Sequence, residues 1–320
     1  MSKEVNDMKK IVRPIIAVTM LLGLVSQQVY AIDTTAINEK WGKPTVVYGG
    51  GLNDQQIKET SQLLGIKDEN TVTTTKATGE DLVKYLGAGE ANTSVMISSV
   101  MVQKRNKGEG VKVHIATPKN ITLVTSEQYA NAAITAGVAD AEIEVAAVSK
   151  VTGESALTGV YKAFEANGVV LDGKRTAVAQ QELELTNQIA QEQSKEKGFD
   201  AAKLDQAMID IKKSLAEIKE KQGQVATKED VERIVNEALK KYGLDKVISP
   251  TQVNNIIQFA LSYQQTSAID SKQVLEQLNS LSNTVKGKIG QLVDQANREG
   301  WFDKIVTFFK EIFNAIFQSK

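Results

Sequence analysis

The stretch QYANAAITAGVADAEIEVAAVSKVTGESAL, residues 128–157, decides the fold class. A segment of helical spacing ends at Gly137, the β-rich run EIEVAAV follows, and TGESAL then opens another helix. Gly137 falls where a helix needs a left-handed residue to terminate, and Thr152 is placed to cap the next helix. A helix, a strand and a helix in this order are typical of an α/β or α+β domain, which we predict for residues 32–175.

The same order of elements occurs upstream, beginning at Gln56. There a helix leads to LLGIKD, the strand TVTTT and the helix start TGEDL. At one constant offset of 72 positions, the matched pairs are Gln56 and Gln128, Gly65 and Gly137, Ile66 and Val138, and Asp68 and Asp140. After a two-residue insertion, Thr78-Gly79-Glu80 matches Thr152-Gly153-Glu154. The matches predict an internal helix-strand-helix duplication, residues 52–87 and 124–165; chance similarity over so few identities is the alternative.

Between the two copies, residues 94–118 read SVMISSVMVQKRNKGEGVKVHIATP. Apolar and polar side chains alternate in one run, Val111, Lys112, Val113, His114 and Ile115. One face of this strand is therefore expected to be buried and the other solvated. The polar, glycine-bearing segment RNKGEG is typical of a turn, so the whole stretch predicts a β-hairpin.

The composition changes near residue 175, and almost every later segment has helical spacing. Residues 176–200 are rich in Gln, Glu and Lys and predict an exposed, polar helical linker. Residues 201–300 predict a helical bundle or a set of helical arms, with caps at Thr227 and at Ser249-Pro250. Apolar residues recur there at coiled-coil spacing over barely two heptads, at Leu204, Met208, Ile211, Leu215 and Ile218.

The first 31 residues have the features of a secretory leader. Lys9, Lys10 and Arg13 precede the apolar run IIAVTMLLGLV, and Val29-Tyr30-Ala31 carries small or apolar side chains at the cleavage positions. The apolar run is about half the roughly 20 residues that a membrane-spanning helix needs, so an uncleaved anchor is the weaker alternative. We predict a signal peptide, residues 1–31, cleaved after Ala31, and a secreted or cell-surface protein.

The charge balance and the absence of cysteine exclude polyanion binding and a fold held by disulfides. The chain has 38 basic and 39 acidic residues, and without the leader 34 remain against 37. This balance implies no nucleic-acid partner and no other polyanion. The chain has no cysteine, so an exported fold must be held by its core without disulfides, a usage that suits a Gram-positive cell surface.

Three glycines, Gly49, Gly50 and Gly51, lie between a strand and a helix in VVYGGGLNDQQ. Phosphate-binding turns occupy this position in many α/β proteins. The segment lacks the lysine and hydroxyl of a P-loop and the spacing of a dinucleotide fingerprint. A tight turn is therefore favoured, with an anion-binding turn as the alternative.

The candidate catalytic groups are few. His114 is the only histidine, which excludes a multi-histidine metal site, and its alternating strand predicts a solvated side chain. Ser155 in TGESALTG lacks the glycine that follows two residues after a nucleophile-elbow serine, so a helix start is favoured. Glu142 and Glu144 share a strand face, for which a solvated face is favoured over a carboxylate pair. We predict no catalytic residue, no cofactor and no metal.

The C-terminal segment WFDKIVTFFKEIFNAIF, residues 301–317, holds five of the eight Phe and one of the two Trp. As a helix, within residues 301–320, it is completely amphipathic, and burial of its apolar face is worth about 15–25 kcal/mol. Packing within the protein, a membrane surface and another envelope protein are the three candidate partners. The docking residues are Trp301, Phe302, Ile305, Phe308, Phe309, Ile312, Phe313, Ile316 and Phe317.

The run GEGVKVHIATPKNITLVTSEQYANAAITAGVADAEIEVAAVSKVTGESALTGVYKAFEANG, residues 108–168, resembles the YpuA-like family of exported proteins from Gram-positive bacteria. That family is defined by a domain of unknown function. The leader, the TVVYGGGLNDQQ segment and the aromatic end are also similar to it, so the resemblance covers most of the mature chain. It implies an exported protein and supplies no activity, cofactor or catalytic residue to carry over.

Together these features predict an exported, envelope-associated protein that binds or scaffolds without catalysis. The alternative is an envelope hydrolase that cuts wall polymer with a pair of carboxylates. Its candidates are Glu142 with Glu144, or Glu80 with Glu154 if the two TGE turns meet. Geometry separates the two hypotheses, because a hydrolase needs its carboxyl groups to converge in a cleft.

Overall fold

The computed structural model describes residue 32, residues 41–87 and residues 90–298, with side chains as far as residue 290. The strands of this part are β1 Thr45–Gly49, β2 Thr73–Ala77, β3 Ser98–Lys104, β4 Val111–Ile115 and β5 Ala141–Ala147. Its helices are α1 Asp54–Leu63, α2 Gly79–Leu86, α3 Ser126–Ala136, α4 Ser155–Ala166, α5 Gly173–Gln193, α6 Ala201–Gln222, α7 Lys228–Lys241, α8 Pro250–Tyr263 and α9 Lys272–Arg298. The predicted mixed α/β architecture with a helical C-terminal region is confirmed.

The strands form one mixed sheet in the order β2-β1-β3-β5-β4. Strand β1 is parallel to β2, and β5 is parallel to β4. The central strand β3 is antiparallel to both of its neighbours, β1 and β5. Four strands therefore point one way, and β3 alone points the other way.

The predicted hairpin between β3 and β4 is wrong, because β5 lies between these two strands. The burial of the strands gives the reason. Nearly every residue of β3 and β5 is buried, whereas β4 exposes Lys112 and only half-buries His114. An apolar strand gains most from a central position, and a strand with charged side chains suits the edge of a sheet. The alternation predicted for β4 is only partly observed, since Val111 is buried and Lys112 exposed but Val113, His114 and Ile115 are all half-buried, and the pattern does not identify the partner strand.

The two faces of the sheet are covered by different helices. On one face, the Tyr48 hydroxyl of β1 lies 2.7 Å from the Ser61 hydroxyl of α1, above a small apolar core. On the other face, Val47, Val100 and Val145 join the main core, which includes side chains of α3 and α4. The sheet is thus buried on both sides, and the main core lies on the side away from α1.

The structure does not confirm the predicted internal duplication. The connections β1-α1-β2 and β4-α3-β5 both join parallel neighbours and step in the same direction across the sheet. Because α1 and α3 lie on opposite faces, the two crossovers have opposite hands. A tandem duplication would preserve the hand of the crossover.

The local roles predicted for the matched residues are mostly correct. Gly65 and Gly137 follow the ends of their helices with φ angles of +73° and +101°. Thr78 caps α2 in a capping box. Thr152 does not cap α4, because that helix begins after Glu154 without a side-chain cap. The Thr152 hydroxyl instead lies 3.3 Å from the Glu154 carboxylate.

The predicted helix starts in the C-terminal region are confirmed at both positions. Thr227 caps α7 by accepting from the Asp230 N–H, and Ser249 caps α8 in a capping box. The apolar seam of α6 is buried at its first four positions, Leu204, Met208, Ile211 and Leu215. This seam lies in a helix that packs against α7 and α9 of the same chain.

Helix α5 covers most of residues 176–200 and is far more buried than an exposed linker. Ala179, Leu183 and Ile189 are fully buried, and the helix packs against α2, α3 and α8. Its buried side also contains Glu182 and Asn187. The segment is polar in composition because part of its polar surface is paired inside the protein rather than solvated.

A buried ion pair joins α5 and α6, two of the helices that contribute to the main core. The Lys212 ammonium of α6 lies 2.7 Å from a carboxylate oxygen of Glu182 in α5, and each side chain is 1% exposed. The same ammonium contacts Asn131 Oδ1 at 2.6 Å and Thr135 Oγ1 at 2.9 Å, both in α3. The Thr135 hydroxyl also donates to the second Glu182 oxygen at 2.6 Å. Every polar atom of the pair is therefore engaged.

We predict that Lys212→Met lowers the free energy of unfolding by about 3–5 kcal/mol, because it leaves the Glu182 carboxylate buried without its cation. Chemical denaturation at pH 7 measures the change. The control is Lys221→Met, since Lys221 pairs with Glu217 on the surface, where the two side chains are 74% and 56% exposed. The double variant with Glu182→Leu should recover much of the loss. Equal effects of the two lysine substitutions would contradict the role given to the buried pair.

Candidate functional site

The three glycines after β1 form a tight turn whose N–H groups are already used. Their acceptors are, in order, the Ser99 hydroxyl at 3.1 Å, the Ala77 carbonyl at 2.8 Å and the Met96 carbonyl at 3.0 Å. A Cβ atom on Gly49 would lie 2.2 Å from the Met96 carbonyl oxygen. Close approach of backbones therefore explains the glycines. This geometry supports the tight turn and leaves none of the three N–H groups for an anion.

The acidic face predicted on β5 is a paired and largely buried cluster. Glu142 bonds to Arg105, which follows β3. Glu144 lies opposite His114 of β4, with 3.3 Å between a carboxylate oxygen and His114 Nδ1. The Glu144 side chain is only 3% exposed, whereas that of His114 is 35% exposed. The solvated face expected here is therefore wrong for Glu144 and only partly right for His114.

Burial governs the titration of this cluster. Burial, followed by the charge of Glu142, raises the pKa of Glu144 to about 7, while a hydrogen bond from the backbone N–H of Ile32 opposes the rise. A carboxyl with a pKa near neutrality is a common feature of general acids. The side chain is closed off from solvent, however, so a polymer substrate has no visible path to it.

The other carboxylates considered in the sequence have separate partners. Glu80 is exposed in the first turn of α2, where the Thr78 hydroxyl lowers its pKa. Glu154 accepts a hydrogen bond from Asn187 of α5. Ser155 is the first residue of α4, as expected for a helix start. These observations give the TGE turns structural roles at the starts of two helices.

A groove of about 520 Å³ lies between the β3–β4 loop and the first turns of α9. Its lining is entirely polar or glycine and consists of Lys107, Gly108, Gly110, Asp140, Lys272, Gln273, Glu276, Gln277 and Ser280. This volume falls within the range of about 300–1,000 Å³ that is usual for ligand pockets. The lining differs from most such pockets because it lacks apolar side chains.

Asp140 organises the wall of the groove. It is the only non-glycine residue with positive φ, +47°, among those the structure describes. Its carboxylate accepts from the N–H groups of Gly108 at 2.9 Å and Gly110 at 3.0 Å. Its own N–H donates to the Gln277 amide of α9 at 3.4 Å. Asp140 has a strained backbone, and these three hydrogen bonds hold it in place in the wall of the groove.

The rim of the groove carries polar side chains that are available to a ligand. Lys107, Lys272, Gln273 and Glu276 are exposed, and in the described part of the chain no hydrogen bond or ion pair engages their side chains. Lys272 and Glu276 are one helical turn apart but do not pair within 4.0 Å. The rim therefore offers both hydrogen-bond donors and hydrogen-bond acceptors.

Sequence reasoning missed this groove. RNKGEG was recognised only as a turn, and the region of α9 was predicted only as part of a helical bundle or a set of helical arms. A clue existed in Asp140, which follows the helix-ending segment GVA and precedes a buried strand, a place where a polar residue often serves a turn. Nothing in the sequence indicates that α9 packs beside this turn.

The described residues contain neither a candidate metal site nor a membrane-spanning helix. Across residues 41–87 and 90–298, no group of three or more metal-ligating side chains is placed to hold an ion. Within the same part of the chain, no helix combines the length and apolar character needed to cross a membrane.

Comparison with known proteins identifies the family. A family model described as a protein of unknown function (DUF1002) matches residues 48–281. This chain belongs to the DUF1002 family. It is also 30% identical, over 315 residues, to the uncharacterized protein YpuA of Bacillus subtilis (strain 168), with 97% of this chain and 98% of that protein covered. No solved structure matches.

The match confirms the resemblance inferred from residues 108–168. In this DUF1002 member the matched span runs from β1 into α9, so it contains both the acidic cluster and the groove. The leader, residues 1–31, and the docking residues from Trp301 to Phe317 lie outside the described residues. Their roles stay predictions.

We predict that, in the full chain, the free energy of unfolding falls as the pH rises from about 5 to 8, in part through Glu144. Its folded pKa is raised, so the native state retains a proton that the unfolded state has lost, and this contribution disappears as the pH passes about 7. Glu144→Gln should flatten the profile and be more stable than the parent at pH 8. Denaturant unfolding at several pH values measures both effects.

Glu90→Gln is the matched control for this measurement, because Glu90 is exposed. Its profile should follow that of the parent. A parent profile that stays flat between pH 5 and 8, or one that Glu144→Gln leaves unchanged, would contradict the burial argument.

Proposed function

We propose that this protein is exported and acts at the cell envelope as a non-enzymatic binding or scaffolding protein. The observation that carries the proposal is the polar groove of about 520 Å³, in which free donors and acceptors surround the wall organised by Asp140. The leader and its predicted cleavage after Ala31 support export. The family match adds no activity, so the proposal rests on this chain's own residues.

The chemistry of the groove favours a polar ligand without a large net charge. The carboxylates of Asp140 and Glu276 offset most of the charge of Lys107, Lys272 and Lys104, the last of which lies 4.0 Å from Asp140, so neither a polyanion nor a polycation is attracted strongly. Hydroxyl-rich molecules both donate and accept hydrogen bonds. The ammonium, amide and carboxylate groups of the rim can supply the matching acceptors and donors. A polar envelope component of this kind is the ligand that we propose.

The alternative, a carboxylate-dependent hydrolase of wall polymer, has one observation in its favour. Glu144 has a raised pKa beside a second carboxylate, Glu142. Glycoside hydrolases instead place their two carboxyl groups on either side of a bound substrate. Here Arg105 engages one carboxylate, and the other is buried against the sheet. The geometry therefore favours binding over hydrolysis.

We predict that the full chain co-sediments with isolated cell-wall material and that Gln273→Ala with Glu276→Ala weakens this binding about tenfold or more. Each substitution removes hydrogen-bonding groups from the rim, and loss of a bond to a charged group alone is worth about 1.5–3 kcal/mol. The control is Asn279→Ala, an exposed side chain of α9 outside the groove. Equal binding of all variants would contradict the groove as the site.

The same assay tests the alternative function. Release of soluble fragments from the wall material, abolished by Glu144→Gln, would favour the hydrolase. Absence of release with binding retained supports the non-enzymatic proposal.

The aromatic C-terminal segment is proposed as a second attachment point, to a membrane surface or to another envelope protein. We predict that deletion of residues 301–320 shifts the protein from the envelope fraction to the medium and leaves the melting temperature unchanged. Fractionation and thermal unfolding measure the two effects. Ile305→Asp with Phe309→Asp should reproduce the shift, whereas Lys304→Ala with Lys310→Ala, on the polar face, should not.

Two outcomes would contradict the docking role. An unchanged distribution of the shortened chain would show that the segment attaches to nothing. A large fall in melting temperature would show that the apolar face packs within the protein.

A further inference from the structure

We infer that Glu144 is the acceptor site for the α-ammonium group that leader removal creates at Ile32. The inference rests on the proposed export and on cleavage after Ala31. It goes further because it assigns the new N-terminus a place in the folded sheet. Both Ile32 and Glu144 are among the described residues.

The position of Ile32 is the first observation. Its side chain is 4% exposed and packs into the small core on the α1 face, with Val46, Tyr48 and Met101. Glu144 is the cross-strand neighbour of Met101 from this same core, and a hydrogen bond from the backbone N–H of Ile32 lowers the pKa of the Glu144 carboxyl. This nitrogen is the atom that cleavage after Ala31 converts from an amide into an amine. The new terminus is therefore already at the carboxylate, and no large movement is needed.

The charge balance around Glu144 is the second observation. The nearby Glu142 is paired with Arg105. The other polar group facing Glu144 is His114, whose Nδ1 is 3.3 Å away. A buried carboxylate is costly without a cation, and before cleavage this one has none of its own. An α-amino group has an ordinary pKa of about 7.7–8.0, so it supplies one positive charge at neutral pH.

Cleavage of the 31–32 peptide bond changes the chemistry of the Ile32 nitrogen and strengthens its interaction with Glu144. Hydrolysis of the 31–32 peptide bond consumes one water molecule and leaves a carboxylate on Ala31 and an amine on Ile32, which takes up a proton. An ammonium offers three donors where the amide offered one, and ion pairing adds charge assistance to the bond. Cleavage at this bond would therefore attach the mature N-terminus to strand β5 of the sheet.

The test compares two purified chains that differ by one residue. One begins at Ile32 and the other at Ala31, each released from a fusion by a protease that leaves no extra residue. The extra residue moves the ammonium away by about 3.8 Å along the chain and restores an amide at Ile32. We expect the Ile32 chain to melt at least about 3 °C higher at pH 7.

Glu144→Gln, made in both chains, tests whether the acid is responsible. The difference in melting temperature should vanish with Glu144→Gln and persist with the exposed control Glu90→Gln. It should also shrink at acidic pH, because protonation of Glu144 removes the negative charge that holds the ammonium. Reductive methylation provides a second readout, since the α-amine of Ile32 should react several times more slowly in the parent than in Glu144→Gln.

Equal melting temperatures of the two chains, or a difference that survives Glu144→Gln, would overturn the inference. The mass of the exported chain separates this outcome from failure of the proposed function. Export with cleavage at another bond would leave the envelope proposal intact but would remove the ion pair between the Ile32 ammonium and Glu144. Retention of the chain inside the cell would remove the export proposal, while the melting comparison would still decide whether Glu144 can accept the ammonium.

Discussion

The pair of Lys212 and Glu182 is the constraint on which much of the packing depends. The pair and its two hydrogen-bonding partners, Asn131 and Thr135, come from three helices, and all four residues must be in place for neither charge to be left unpaired. Removal from water makes an incomplete arrangement costly, so α3, α5 and α6 are held in one relative position. Helices α5 and α6 lie in the region predicted as helical, whereas α3 belongs to the α/β part. The pair therefore links both parts through one buried group.

Burial also determines the order of the strands in the sheet. Strand β3 is antiparallel to both neighbours, and its position separates two pairs of parallel strands. The apolar strand β5 is enclosed, and the charged strand β4 is left at the edge. This arrangement places Glu142, Glu144 and His114 on one face beside each other. Burial of Glu144 on that face makes a partner for its carboxylate necessary, which is why we infer that an N-terminus at Ile32 would bind there.

The groove lies at the start of β5 and the acidic cluster lies within the strand, and the two sites differ in their exposure to solvent. Asp140, just before the strand, shapes an open and solvated groove suited to a ligand. Glu144, within the strand, is closed to solvent and suited to an internal partner. Both residues owe their conformations to neighbours distant in sequence. For this reason a carboxylate in the sequence of β5 predicts neither role by itself.

The sequence by itself determined the family, the mixed class, the helical C-terminal region and most helix ends, including Gly137, Thr78 and Thr227. These features depend on local chemistry: a left-handed residue, a capping oxygen or an apolar period acts within a few positions. Thr152 failed as a cap because its turn takes a different path. The order of strands, the hands of the crossovers, the burial of Lys212 and the groove beside Asp140 were decided only by tertiary structure. Each of these depends on which distant surfaces meet, and a local pattern specifies that a face must be buried without specifying its partner.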